Sequence, residues 1–257
     1  LHNTMQLLKF STGNGKLSNR LIFNIPAGYT CPHAGVCKTF ADKTTGKITD
    51  LPQLTGTIAP EFRCFAAMAE TRPNVRDARW YNWDLLREAL YSGENQVKQL
   101  SALIKLSLIV QTDMDLIRVH ESGDFWTEKY MAAWIKVAQE DPDTTYYAYT
   151  KSLGMWLSLR DSIPNNFMLT ASVGGTLDYL LPKYPDVFKR IAYVVYTEEE
   201  AATRGLEIDH DDSHCLGDKP FALLVHGSQR AGSDASKALA KRKKDGGFVG
   251  YNKKKVA

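Results

Sequence analysis

The chain has 257 residues, of which 44% are hydrophobic and 24% charged, with a net charge of +3. These proportions are those of a folded globular protein and exclude a disordered or collagen-like chain. No apolar run approaches the roughly 20 residues of a membrane-spanning helix, and four cysteines in such a length do not make a disulfide scaffold.

The positive charge is terminal. From Gly232 onward the chain carries +6, so the preceding residues sum to −3. With no secretory signal in view, the cysteines predict a reducing, cytoplasmic setting with metal-binding or catalytic thiols.

In chain order, residues 5–25 read as a β-hairpin. Leu7 to Ser11 and Leu21 to Ile25 flank the turn-rich run Thr12-Gly13-Asn14-Gly15-Lys16. A loop over residues 26–65 follows, bearing Cys31, Cys37 and Cys64. Thiolates gathered beyond the carboxyl end of a strand suit an iron–sulfur cluster or a zinc ion, with inert buried cysteine as the alternative. Residues 38–62 show no clear period and are expected to form a surface excursion.

Trp80, Trp83, Leu86 and Leu90 then recur at helical spacing, and a second helix is expected over about Glu94 to Gln111. From there strand and helix alternate. Strands are expected at Asp115 to Val119, Thr145 to Tyr149, Phe167 to Ala171, Ile191 to Tyr196 and Phe221 to Val225. Helices are expected at Thr127 to Gln139, Leu153 to Arg160, Asp178 to Arg190 (interrupted by Pro182 and Pro185), Glu198 to Arg204 and Ser233 to Lys244. This alternation predicts an α/β fold of about six parallel strands with helical crossovers, a partial or distorted (β/α) barrel. Residues 1–232 would be one domain, and 233–257 a basic helix and tail.

In such a fold chemistry gathers at the carboxyl ends of the strands. Those ends read His120-Glu121-Ser122-Gly123-Asp124, Thr150-Lys151-Ser152 and Thr170-Ala171-Ser172. Asp124 is placed either as a site carboxylate or as the cap of the helix near Thr127. Lys151 is placed to meet an anion, or to lie solvated at a helix start. The patch Asp209-His210-Asp211-Asp212-Ser213-His214-Cys215 offers acid–base or metal-binding groups, or a solvated acidic loop. Lys241 to Lys244 and Lys253 to Lys255, interleaved with Phe248 and Tyr251, suit DNA or RNA contact, or a frayed terminus.

Asn24 to Gly28 with Cys31, Pro32 and Cys37, Phe62 to Ala66, Ser122 to Phe125, Ala148 to Ser152 and Asp209 to His214 resemble the actinophage gene product 88 family over nearly the whole chain. More distantly, three cysteines after the first strand and a Gly-acid motif after the second resemble radical S-adenosylmethionine enzymes. That resemblance implies a [4Fe–4S] cluster on Cys31, Cys37 and Cys64, and S-adenosylmethionine held by Ser122, Gly123, Asp124 and Ser172. Lys151, Asp209, His210 and His214 would then serve the substrate and proton transfer. The cysteine spacing differs from the radical-enzyme pattern: five residues separate the first pair and 26 the second. A looser resemblance, to zinc-dependent base-exchange enzymes related to tRNA-guanine transglycosylase, implies catalytic aspartates instead. A third reading is a non-catalytic DNA-binding protein with structural zinc. The favoured expectation is an enzyme of phage type, modifying nucleic acid in the bacterial host cytoplasm.

Overall fold

The computed structural model describes residues 4–13, 17–50, 61–111 and 113–251. Asn14 to Lys16 of the expected turn, residues 51–60 of the excursion and Lys253 to Lys255 of the tail lie outside them. Strand β1 (Phe10–Ser11) pairs antiparallel with β2 (Leu21–Phe23), as the hairpin expectation has it, though both strands are short. From β2 onward the main sheet is parallel. Its further strands are β5 (Leu116–Val119), β6 (Thr145–Thr150), β7 (Phe167–Ser172), β8 (Ile191–Val195) and β9 (Phe221–Leu224). The six parallel strands follow one another in chain order across the sheet, with no reversal.

The sheet is open. Of the expected partial or distorted barrel, what stands is the α/β fold with its six parallel strands, and among the described residues the sheet does not close. The physical reason is at the edge: β1 occupies the outer side of β2, so β9 has no partner there and remains the opposite edge.

Four helices pack on one face: α1 (Pro73–Tyr91), α2 (Gln96–Ile109), α3 (Glu128–Gln139) and α4 (Leu153–Leu159). The period-two pattern of β6 explains how the two faces differ. Tyr146 and Ala148 point to the helices, where they meet Trp134 and Leu153 in the largest core cluster. Tyr147 and Tyr149 point to the other face and pack with Cys215 and Phe221. Helix α3 starts at a Thr127 cap, whose Oγ1 accepts from the Tyr130 N–H at 3.2 Å, and buries Tyr130, Trp134 and Val137. Helix α1 takes Pro73 in its first turn, where a missing N–H costs nothing.

Two expectations change in detail. The excursion contains a second hairpin, β3 (Thr39–Ala41) with β4 (Ile48–Asp50). Its turn is built by Asp42, whose Oδ1 accepts from the backbone N–H of Thr44 and Thr45. Three-residue strands carry too little alternation to be read from sequence. Between β7 and β8 only a 3₁₀ turn, Asp178–Leu180, forms in place of a helix, because Pro182 and Pro185 stop propagation. Beyond β8 come α5 (Glu198–Thr203) and α6 (Asp234–Lys244).

Candidate functional site

The cysteine loop leaves β2 and crosses the carboxyl edge of the sheet. Gly28 has φ +77°, and a Cβ there would come within 2.4 Å of the Thr39 carbonyl oxygen, so the turn requires glycine. The loop is then pinned to the segment after β7. The Val36 N–H donates to the Gly174 carbonyl at 2.9 Å, and the Thr176 N–H to the His33 carbonyl at 3.0 Å. Beyond this, Val36, Cys37 and Phe65 pack against the buried cluster of Phe62, Ala235 and Val225 after β9, which Val194 of β8 also joins. One loop thus touches the ends of strands from β2 to β9.

This path brings three thiols into one electrostatic neighbourhood. Burial pushes the Cys31 thiol far above its ordinary pKa, and the charges of Asp124, Cys64 and Cys37 push the same way. Burial and then Cys37 push Cys64 up to about 11, against a smaller lowering by the backbone N–H groups of Ala67 and Ala66. Thr39 ties the set together, its Oγ1 donating to the Cys37 carbonyl at 3.1 Å and accepting from the Cys64 N–H at 3.2 Å. Cys215 belongs to a different place. It is buried against Tyr147, Ala192 and Phe221, and burial followed by Asp212 pushes it up to about 12. Among the described residues no three His, Cys, Asp or Glu side chains stand in a metal-binding group. The three thiols are therefore gathered, and of the right chemical kind for a soft metal, but they are not turned into a ligand set.

Asp124 lies beside this neighbourhood and links two strand ends. Its Oδ1 accepts from Thr150 Oγ1 at 2.6 Å and from the Phe125 N–H at 2.7 Å. Its Oδ2 accepts from the Lys151 N–H at 2.9 Å. Thr127, not Asp124, caps α3. Burial pushes the Asp124 carboxyl up to about 6, against the hydrogen bonds and the Lys151 charge. Next to it, Gly123 has φ +92°, and a Cβ would meet Ile25 Cγ1 at 2.4 Å. Ser122 donates its N–H to Asn24 Oδ1 at 2.8 Å. Lys151 and Ser172 are brought together: Lys151 Nζ donates to Ser172 Oγ at 2.6 Å and to the Val173 carbonyl at 3.2 Å. The sequence-predicted residues of the strand ends therefore converge on the edge where the cysteines lie.

The sequence matches the family described as Gene product 88 over residues 5–245. The chain belongs to that family. It is similar to the "Gene 88 protein" of Mycobacterium phage L5, 32% identical over 90 residues, or 34% of this chain and 38% of the relative. It is similar to the "Gene 88 protein" of Mycobacterium phage D29, 31% identical over 90 residues with the same coverage. The aligned part thus spans under half of either relative's length. No solved structure matches the chain. Among the described residues no helix is long and apolar enough to cross a membrane.

The acidic patch of this gene product 88 chain folds against the sheet face opposite α1–α4. Asp212 is buried, with φ +63°, and its Oδ2 accepts from Arg118 Nη1 at 2.7 Å and from the Tyr147 hydroxyl at 2.8 Å. Asp209 is buried too and accepts from the Asp212 N–H at 2.8 Å and from His214 at 2.6 Å through Nδ1. His214 Nε2 lies 2.9 Å from Glu207. Partial burial pulls His214 down, but its contacts with Glu207 and Asp209 outweigh that and raise it overall. His210 is exposed, its ring 5.3 Å from Phe248. Asp212 pairs with sheet residues and Asp209 with its own neighbours Asp212 and His214, none of them among the three gathered cysteines.

Sequence reasoning missed a buried ion pair under the cysteine loop. Glu70 is fully buried, and its Oε2 accepts from Arg79 Nη1 at 2.8 Å, the Ala27 N–H at 2.9 Å and Ser122 Oγ at 3.4 Å. The signal was present: Arg76, Arg79, Trp83, Leu86 and Leu90 share one stripe of α1, so two arginines sit on the face its leucines bury. His120 is also structural in its contacts. With φ +76°, it lies 2.7 Å from the Tyr130 hydroxyl through Nε2, and burial, then Arg118, push it down to about 3, so it stays neutral.

Proposed function

We propose that this protein is an iron–sulfur enzyme of the radical S-adenosylmethionine kind that modifies nucleic acid. The observation that carries the reading is the shared electrostatic neighbourhood of Cys31, Cys37, Cys64 and Asp124 on the carboxyl edge of a parallel sheet. The sheet supports it: six parallel strands in sequential order, with α1–α4 on one face, set their carboxyl ends along one edge. Three thiolates would hold the cluster, and a bound cluster would supply one-electron reduction. The chain's own residues do the rest. Asp124, ionised above about pH 6, would present negative charge beneath a cationic cofactor group. Lys151, whose Nζ donates to the neutral oxygens of Ser172 and Val173, would receive an anionic group of the substrate. The basic C-terminal segment would direct the enzyme to phosphates.

The test is iron, sulfide and zinc content after oxygen-free purification. About four irons and four sulfides per chain, lost in Cys31→Ala, Cys37→Ala and Cys64→Ala but kept in Cys215→Ala, would support the reading. Zinc without sulfide in the same three-cysteine pattern would replace the cluster by a zinc centre. No metal under either condition would remove the enzyme mechanism altogether.

A further inference from the structure

Six rings form a continuous column that runs from Phe62 and Phe65, on either side of Cys64, to Tyr251, the last described residue. Phe62 stacks on Phe65 with centroids 5.5 Å apart, and Phe65 stacks on His226 at 4.0 Å. His226 meets Tyr251 at 5.2 Å and Phe248 at 6.0 Å, Phe248 meets Tyr251 at 4.7 Å, and His210 meets Phe248 at 5.3 Å. Phe62 is buried, His210 is exposed and the other four are half-buried, so the column opens to solvent at its outer end.

Helix α6 lies along this column. Its Ala235 and Leu239 pack into the cluster of Phe62 and Val225. Arg242 fixes the geometry by donating to the carbonyls of Val225 at 2.7 Å, Phe248 at 3.0 Å and Tyr196. With that face inward, Lys237, Lys241 and Lys244 form an exposed stripe at helical spacing, and Lys243 is exposed beside it. The stripe runs roughly 10 Å along the helix. Basic residues in the last turn also offset the helix dipole, but Lys237 lies outside that turn and the dipole does not call for rings.

We infer that the α6 stripe and the outer rings of the column, Phe248, Tyr251 and His226, form a binding surface for single-stranded nucleic acid. Phosphates would follow the lysines and an unstacked base would lie on the rings. A duplex keeps its bases stacked inside and cannot present one to an aromatic face, whereas a single strand can. The column leads to Phe65, the neighbour of Cys64, so a base on the rings lies on the route to the thiols, and an enzyme acting on a base needs it out of the stack. This inference deepens the proposed function and rests on its nucleic-acid part.

The experiment is fluorescence anisotropy of the full chain with a labelled oligothymidylate and with a duplex of equal length, over a series of salt concentrations. The expected result is tighter binding of the single strand. Replacing Lys237, Lys241 and Lys244 by Gln should lower the magnitude of the log–log salt slope by about 2, at roughly 0.7 per lost phosphate contact. Phe248→Ala or Tyr251→Ala should weaken binding about 5- to 100-fold with the slope unchanged. Equal or tighter duplex binding, no saturable binding at low salt, or an unchanged slope in the lysine variant would each overturn the inference. The lysines are exposed, so that variant keeps the fold, and its melting temperature verifies this. Iron content on the same samples, purified without oxygen, reports on the metal centre alone: single-strand binding by protein that carries no metal after such purification would sink the cluster and leave this surface standing.

Discussion

Asp124 has a role that stability measurements can isolate. Two oxygens accept three buried donors: Thr150 Oγ1, the Phe125 N–H and the Lys151 N–H. Asp124→Ala leaves all three without that acceptor, at about 1–3 kcal/mol each, so roughly 3–9 kcal/mol in total. Asp124→Asn keeps one oxygen for Thr150 and Phe125 and turns an NH₂ toward the Lys151 N–H, at a cost of about 1–3 kcal/mol. The pH dependence follows from the raised pKa. The folded carboxyl holds its proton to about 6, whereas the ordinary value is 3.8. Between those values unfolding releases a proton, so this group's contribution is full below about pH 4 and falls as pH rises through about 6, by about 3 kcal/mol. Wild type should exceed Asp124→Asn at about pH 4, and the gap should close or reverse by about pH 7. Urea denaturation followed by tryptophan fluorescence at the two pH values reads this directly. Equal costs for Ala and Asn would refute the linking role, and a gap that widens with pH would refute the raised pKa.

Three further outcomes follow from the contacts. Arg79→Ala leaves Glu70 charged and buried, and should cost about 3–5 kcal/mol in the same assay; a loss below about 1 kcal/mol would mean the pair is open to water. His214 is raised in the folded state, so its stabilisation is present below about pH 6.5 and lost as pH climbs through the raised value. His214→Gln should flatten that part of the stability profile, and an unchanged profile would count against the Asp209 and Glu207 contacts. Thr127→Ala should cost on the order of 1 kcal/mol, the usual loss of a helix cap, while Thr127→Ser should restore nearly all of it.

How much of this was legible in the sequence depended on the range of the interaction. The strands β5 to β9 and helices α2 and α3 announce themselves by local periodicity, and their observed bounds fall within about two residues of the pattern, whereas α1 begins at Pro73, seven residues before the first of its recurring apolar residues. Closure is not local. Nothing in the alternation of strands and helices says that β1 will take the free side of β2 and leave the sheet open. The convergence of Cys31, Cys37 and Cys64 was legible because all three follow one strand before the first long helix. The stripe of α1 marks Arg79 as inward, but its partner Glu70 could not be read, since the burial of Glu70 depends on Ala27 and Ser122, 43 and 52 positions away. The density of acids at residues 209–214 reads as one site. Of its buried members, Asp209 does bond within the patch, but Asp212 draws on Arg118, 94 residues earlier.

The pinning of the cysteine loop has a consequence for how the protein is made. The bonds between Val36 and Gly174 and between His33 and Thr176, and the packing of Cys37 on Val225, close chain loops of well over 100 residues. Such contacts form late, because the entropy of closing the loop must be met before the contact returns anything. A nascent chain that has emerged only as far as Cys64 carries three thiols but no edge to lay them on. The thiols come together only once β7, β8 and β9 are in place. Metal loading, if it uses this site, would therefore be the last step of maturation, and the free thiols would be exposed to oxidants throughout synthesis of the C-terminal half.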